Sequence, residues 1–238
     1  MIRRAFVRHQ KVGVVAVGLL AAGLGVATGL VYAAPTGEAS PGSNAAQSRN
    51  ANSSDDVETV VFLRHGEKPA DGRGQLTPQG FNRALALAEV LPRMFGKPDY
   101  LFAPDPREKV WDYGQLYCYI RPLATIEPTA IRLNMPVQTP CGYRDIEELN
   151  EELCKPQYAR ATVFVAWEHG YEQRAAATLF KKFGGDASKV PAWPGPDFDS
   201  LYVIKIHRSP DHPATATFAH EHEGLNGQST TMPAPAGK

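Results

Sequence analysis

Cysteine is scarce, with Cys118, Cys141 and Cys154 the only three in 238 residues. An odd count allows at most one bridge within the chain. No Cys-x-x-Cys pair exists, which excludes a structural zinc site built on cysteines. Outside the cytoplasm a Cys118–Cys141 disulfide is chemically permitted; three small buried apolar side chains are the competing reading. A charge excess of either sign is also missing, since 25 basic and 25 acidic residues leave a formal net charge of +0. The globular part carries no sustained basic stripe, so nucleic acid is not an expected partner. No internal repeat is visible. What remains is 43% hydrophobic and 21% charged, ordinary globular material with enough apolar side chain for a core.

The N-terminus differs from the rest. Met1 to Lys11 holds Arg3, Arg4, Arg8 and Lys11 and no acid, and Val12 to Tyr32 is free of charge. That run of about 21 residues is long enough to span a bilayer. Val31-Tyr32-Ala33 supplies the small residues that signal peptidase prefers. Residues 1–34 are therefore expected to be a cleaved export signal or an uncleaved anchor with its basic end inside. Arg3-Arg4 also resembles a twin-arginine signal. Either reading places the remainder outside the cytoplasm, periplasmic or held at the inner membrane. Residues 35–56 are mostly Pro, Gly, Ser, Asn, Ala and Gln, with almost no large apolar side chain, and read as a flexible spacer. The globular domain is expected over 57–227, with a disordered tail over 228–238.

Within the domain, Thr59-Val60-Val61-Phe62-Leu63 and Thr162-Val163-Phe164-Val165-Ala166-Trp167 are apolar, β-branched runs of the kind found in strands buried on both faces. Thr77-Pro78 opens a helix with apolar residues at Phe81, Ala84, Leu85, Ala88 and Leu91, which Pro92 and Gly96 should stop. Tyr100 to Ala103 reads as a strand, followed by a long polar loop containing Pro104, Pro106 and Gly114. Arg121 to Leu133 has helical spacing with Pro128 inside it, and Met135-Pro136-Val137 leads a short strand. Asp145-Ile146-Glu147-Glu148 has the form of a capping box. A helix from Glu172 to Phe183 ends at Gly184-Gly185, and strands at 200–207 and 215–220 are close enough to pair. Alternating strand and helix predicts a three-layer α/β/α sandwich around a mostly parallel sheet.

Both apolar runs end in histidine: Arg64-His65-Gly66-Glu67 after the first, Glu168-His169-Gly170 after the second. Open α/β sheets bind ligands beyond the carboxyl ends of their strands, so one crevice should receive both rings. Gly66 permits the break that lets Arg64 and His65 face the same ligand. A guanidinium is a permanently charged fork for phosphate, and a neutral imidazole beside it can attack phosphorus. Phosphoryl transfer then needs alignment and neutralisation of the equatorial oxygens, hence further cationic donors. Arg121 and His169 are the natural ones.

The order of these motifs resembles the histidine phosphatase superfamily, with its phosphoglycerate mutase-like fold. The resemblance is carried by Leu63-Arg64-His65-Gly66-Glu67, by Leu76-Thr77-Pro78-Gln79-Gly80, by Arg121 with Thr125, and by His169-Gly170. It runs from Thr59 to about Gly227. It implies that His65 is the phosphorylated nucleophile, that Arg64 and Arg121 clamp the phosphoryl group, and that His169 hydrogen-bonds it during transfer. No cofactor and no metal are implied.

Two positions depart from the pattern. Glu168 stands where many relatives have a small residue. No carboxylate in a recognisable context follows the third strand, where Asp145, Glu147 and Glu148 lie. Glu168 is the first choice for the proton donor, although strand alternation would turn it away from His169; it could instead keep His169 protonated. Glu67 is expected to orient the motif. His220 and His222 form a pair without a third metal ligand. Lys68 and Arg73 touch substrate or are solvated, and Trp111, Tyr113, Tyr117 and Tyr119 line the pocket mouth or pack in the core.

The function expected is a metal-independent phosphomonoesterase acting on a small-molecule or glycan phosphomonoester or a phosphoprotein. Its rivals are a phosphohistidine phosphatase, an export-disfavoured phosphoglycerate mutase and a non-catalytic phospho-ligand binder.

Overall fold

The computed structural model describes residues 56–234. The expected signal or anchor and nearly all of the spacer lie outside the described residues. Among those described, no helix is long and apolar enough to cross a membrane.

The strand-forming residues assemble one six-stranded sheet. In chain order its strands are β1 (Asp56–Arg64), β2 (Tyr100–Phe102), β5 (Val137–Gln138), β6 (Thr162–Trp167), β7 (Ser200–Arg208) and β8 (Thr215–His222). Across the sheet the order is β5-β2-β6-β1-β7-β8. β5, β2, β6 and β1 run parallel; β7 is antiparallel to β1, and β8 to β7. β1 and β6 are adjacent with Arg64 opposite Trp167, so the two histidine-bearing tips lie side by side.

Alternation in the central strands sends side chains to two cores. Val61, Leu63, Phe164 and Ala166 pack under α1 (Pro78–Phe95) and α2 (Arg121–Leu133). Val60, Phe62, Val163, Val165 and Trp167 pack under α3 (Ile146–Leu153) and α4 (His169–Lys182). The three-layer α/β/α arrangement is thus the one that the strand and helix pattern predicts.

Several local expectations are corrected. Helix α1 continues through Pro92 to Phe95, where Gly96 at φ 80° caps it by donating to the Pro92 carbonyl. The polar loop after β2 contains a hairpin, β3 (Lys109–Asp112) and β4 (Gln115–Cys118), in a sheet of its own. Its turn residues Tyr113 and Gly114 both have positive φ (49° and 81°), the twist a tight hairpin requires. The capping box at α3 does not form: Asp145 makes no cap bond, and its Oδ2 accepts from Gly142 N at 3.2 Å. Helix α4 begins at His169, three residues earlier than its apolar spacing indicates.

Cys118, Cys141 and Cys154 are free thiols, with Cys118 exposed and Cys141 buried, so the permitted bridge is not made. Trp111 and Tyr113 are exposed rather than core, whereas Tyr119 is fully buried. At the far end, Asn82 of α1 donates to the carbonyls of Ser229 and Thr231, residues read from composition as tail.

Candidate active site

The site begins where β1 ends. The His65 amide still bonds the Trp167 carbonyl at 3.0 Å, and then the chain leaves the sheet at Gly66. Gly66 is required by close approach: a Cβ there would sit 2.7 Å from the Gly80 carbonyl oxygen. Gly80 is its counterpart, since a Cβ on it would lie 2.4 Å from the Glu67 carbonyl oxygen. The Thr77-Pro78-Gln79-Gly80 turn therefore opens α1 against the histidine loop. Thr77 Oγ1 accepts from Gly80 N at 3.1 Å, and the Glu67 carbonyl accepts from Thr77 N at 2.8 Å. The Gly66 amide donates to Thr125 Oγ1 at 2.9 Å, which ties the same loop to α2.

His65 is 2% exposed. Its Nδ1 lies 2.7 Å from the Gly66 carbonyl, an acceptor only, so Nδ1 carries the hydrogen and Nε2 keeps its lone pair. Burial first, and then the Arg121 charge, push the ring down to about 3. The imidazole is therefore neutral at physiological pH, as a nucleophile must be.

Two aromatic rings flank it, Tyr119 at 6.1 Å and Phe198 at 6.2 Å between centroids. Each carries a guanidinium: Arg121 stands 4.6 Å over Tyr119, and Arg64 stands 3.8 Å over Phe198. Both arginines are buried and held by Nη1. Arg121 Nη1 donates to Asp112 Oδ2 of the hairpin at 2.7 Å. Arg64 Nη1 donates to the Gly195 and Asp197 carbonyls, each at 2.6 Å. In both, Nε is buried without a partner among the described residues. Two unpartnered guanidinium edges beside a neutral histidine are what a phosphoryl group would satisfy, because buried donors left without acceptors are costly. Tyr119 Oη is a third such atom.

His169 occupies the first turn of α4, and its Nδ1 lies 2.7 Å from Glu168 Oε1. Glu168 is the N-cap of that helix, with Oε2 accepting from Gly170 N and Tyr171 N at 2.9 and 3.1 Å. Burial raises its pKa, but the His169 ring and the two amides outweigh this and bring it to about 2. So held, the Glu168 carboxylate caps α4 and stands against the His169 ring. Asp145, Glu147 and Glu148 are all exposed on or beside α3.

Glu67 is held by charge. Its carboxylate pairs with Arg83 of α1 at 2.9 Å, and the Arg83 guanidinium, 1% exposed, also meets Asp199 and Glu223. Lys68 is exposed, and Arg73 pairs with Asp71. His220 and His222 rings lie 4.8 Å apart, with His220 Nε2 taken up by Ser200 Oγ. Among the described residues, no cluster of three His, Cys, Asp or Glu side chains is arranged to hold a metal ion.

Asp112, Phe198 and the carbonyls of 194–197 escape sequence reasoning. They come from segments without periodicity, and only the Tyr113-Gly114 turn signals the hairpin that brings Asp112. Tyr119 was visible as part of an aromatic cluster but not as the ring against His65.

Fold and site together give an α/β sandwich with a buried histidine and two buried arginines at its parallel strand tips. No family model and no curated protein matches the sequence. Among solved structures, the chain is similar to a protein described as a phosphohistidine phosphatase, SixA, from Nakamurella multipartitia, with 16% identity and TM-score 0.49 over 70% of this chain and 96% of that one. It is also similar to a mycobacterial glucosyl-3-phosphoglycerate phosphatase in complex with inorganic phosphate, with 17% identity and TM-score 0.46 over 68% and 95%. A third is phosphoglycerate mutase from Plasmodium falciparum, with 10% identity and TM-score 0.45 over 76% and 96%.

Proposed function

We propose that the protein is a metal-independent phosphomonoesterase of the histidine phosphatase type, working through a phosphohistidine on His65. The observation that carries this reading is the His65 ring itself: buried, neutral, its Nδ1 committed to the Gly66 carbonyl, with two arginines pinned around it. The His65 Nε2 lone pair forms the N–P bond as the ester P–O bond breaks, and the leaving oxygen takes up a proton from solvent. Water then attacks phosphorus and gives a proton back to solvent, the N–P bond breaks back onto Nε2, and inorganic phosphate departs. Arg64, Arg121 and His169 hold the equatorial oxygens, where developing charge is best stabilised.

A phosphohistidine phosphatase is favoured as a second reading by one observation. Glu168 is held ionised, and a P–N bond needs less protonation of its leaving group than an ester does. The location outside the cytoplasm is supported by the basic residues Arg3, Arg4, Arg8 and Lys11 ahead of the charge-free stretch from Val12 to Tyr32.

Brief incubation of the full chain with a labelled aryl phosphate tests the reading. Acid-labile, base-stable label on the wild type and none on His65→Ala is the expected result. Saturable phosphate binding with no label on either would make the domain a binder and overturn the catalytic assignment.

A further inference from the structure

Arg64 and Arg121 are held differently, and the difference has a consequence for the clamp. Arg121 Nη1 faces a carboxylate, Asp112, which offsets part of its charge. Arg64 Nη1 faces only neutral carbonyls, those of Gly195 and Asp197 at 2.6 Å with Pro194 at 3.4 Å, while the carboxylates of Glu168, Glu172 and Asp197 act on the guanidinium without bonding it. The guanidinium is also sandwiched on one side by Phe198, 3.8 Å from its ring centroid. Pro194 to Phe198 thus forms a cradle that takes one nitrogen of Arg64 and one face of it. The Nε edge stays unbonded.

A loop of carbonyls all aimed at one nitrogen does not hold itself, since those carbonyls repel one another. Asp197 supplies the restraint. Its Oδ1 accepts from Asp199 N at 2.8 Å and from Ser200 N at 3.1 Å, an Asx-type turn, and its own amide donates to the Pro194 carbonyl at 3.0 Å. Its Oδ2 accepts from Ser200 Oγ, which is fixed in turn by His220 Nε2 at 2.7 Å. Trp193 Nε1 donates to the Asp197 carbonyl at 3.1 Å. The Asp197 side chain faces away from Arg64, toward β7, while its main chain meets the guanidinium.

We infer that Asp197 is a positioning residue: its carboxylate folds the 194–198 loop into the carbonyl cradle that fixes Arg64 and leaves the Nε edge for the phosphoryl group. The inference rests on the phosphatase reading and adds a residue that touches neither substrate nor His65. It requires that Asp197 act only through Arg64. A residue that supports the fold in general has no such restriction.

The test uses the full chain and p-nitrophenyl phosphate, with kcat and KM measured separately for Arg64→Ala, Asp197→Ala, Asp197→Asn and the double variant Arg64→Ala with Asp197→Ala. Asp197→Ala should lower kcat about 100-fold, the scale of a lost oxyanion donor. Asp197→Asn keeps an oxygen for the Asp199 and Ser200 amides and should recover to within about tenfold of wild type. The double variant should be no slower than Arg64→Ala alone, because coupled residues are not additive. Multiplied losses in the double variant, or wild-type kcat in Asp197→Ala beside a crippled Arg64→Ala, would overturn this inference and leave the phosphatase reading standing. Wild-type turnover in Arg64→Ala would overturn this inference and the place of Arg64 in the clamp, and no turnover in the wild type would overturn the phosphatase reading. Should Asp197→Ala fail to fold, Ser200→Ala alone and combined with Arg64→Ala reads the same coupling through the hydroxyl on Oδ2.

Discussion

Protonation of His65 is the perturbation that tests whether the fold holds its ring neutral. In the folded protein the ring titrates at about 3, lowered from 6.5 by burial and then by Arg121. In the unfolded chain it titrates at its ordinary value. Between those two values the unfolded state binds the additional proton, so folding stability falls as pH drops below 6.5 and continues to fall toward 3. Each pH unit inside that window is worth about 1.4 kcal/mol, so going from pH 7.5 to pH 5 should cost about 2 kcal/mol through this group alone. Buried carboxyls work in the opposite sense: Glu223, raised to about 8 chiefly by burial, loses stability as pH rises above its unfolded value. They are common to both proteins in a paired comparison and cancel. Urea unfolding of wild type and His65→Asn at both pH values is the assay. The wild type should lose about 2 kcal/mol more than the variant on acidification. Equal losses would mean that the folded ring accepts a proton near neutrality, and a cationic imidazole cannot attack phosphorus.

Three further outcomes are expected. Gly80→Ala places a methyl 2.4 Å from the Glu67 carbonyl, which should cost about 1–3 kcal/mol in a urea melt and abolish phosphatase activity by displacing the loop that carries His65. Arg83→Met strands Glu67, Asp199 and Glu223 without their shared cation, so unfolding free energy should drop by about 3–5 kcal/mol; a loss below about 1 would show that the cluster is not a structural tie. Asp112→Ala frees Arg121 Nη1 and strands the Gly74 amide, and the resulting misplacement should lower kcat/KM about 100-fold; an unchanged kcat/KM would show that the hairpin does not position Arg121.

What could be read from the chain alone is what short-range rules govern. The Val-rich runs of β1 and β6, the histidine at each tip and the Thr77-Pro78 helix start are written in adjacent residues, and each is found where its pattern places it. Parallel pairing of β1 with β6 then had to bring the two tips together. Rules of the same kind misled where a competing partner was nearer. Asp145 has the residues of a capping box but turns to the Gly142 amide. Pro92 breaks no helix because α1 needs only one more turn before Gly96 ends it.

The electrostatics of the site belong to the tertiary structure. Arg64 is oriented by carbonyls 131 and 133 residues away, Glu67 is balanced by Arg83 sixteen residues on, and Arg121 is held by a hairpin whose strands look like polar loop. None of these contacts leaves a periodicity, since one isolated pair of groups, side chain to main chain or side chain to side chain, imposes no repeat on either segment. On the proposed reading, the residue types supply the groups that phosphate chemistry needs. Burial, which leaves His65 neutral and both guanidinium Nε atoms unbonded, sets which atoms remain free to perform it.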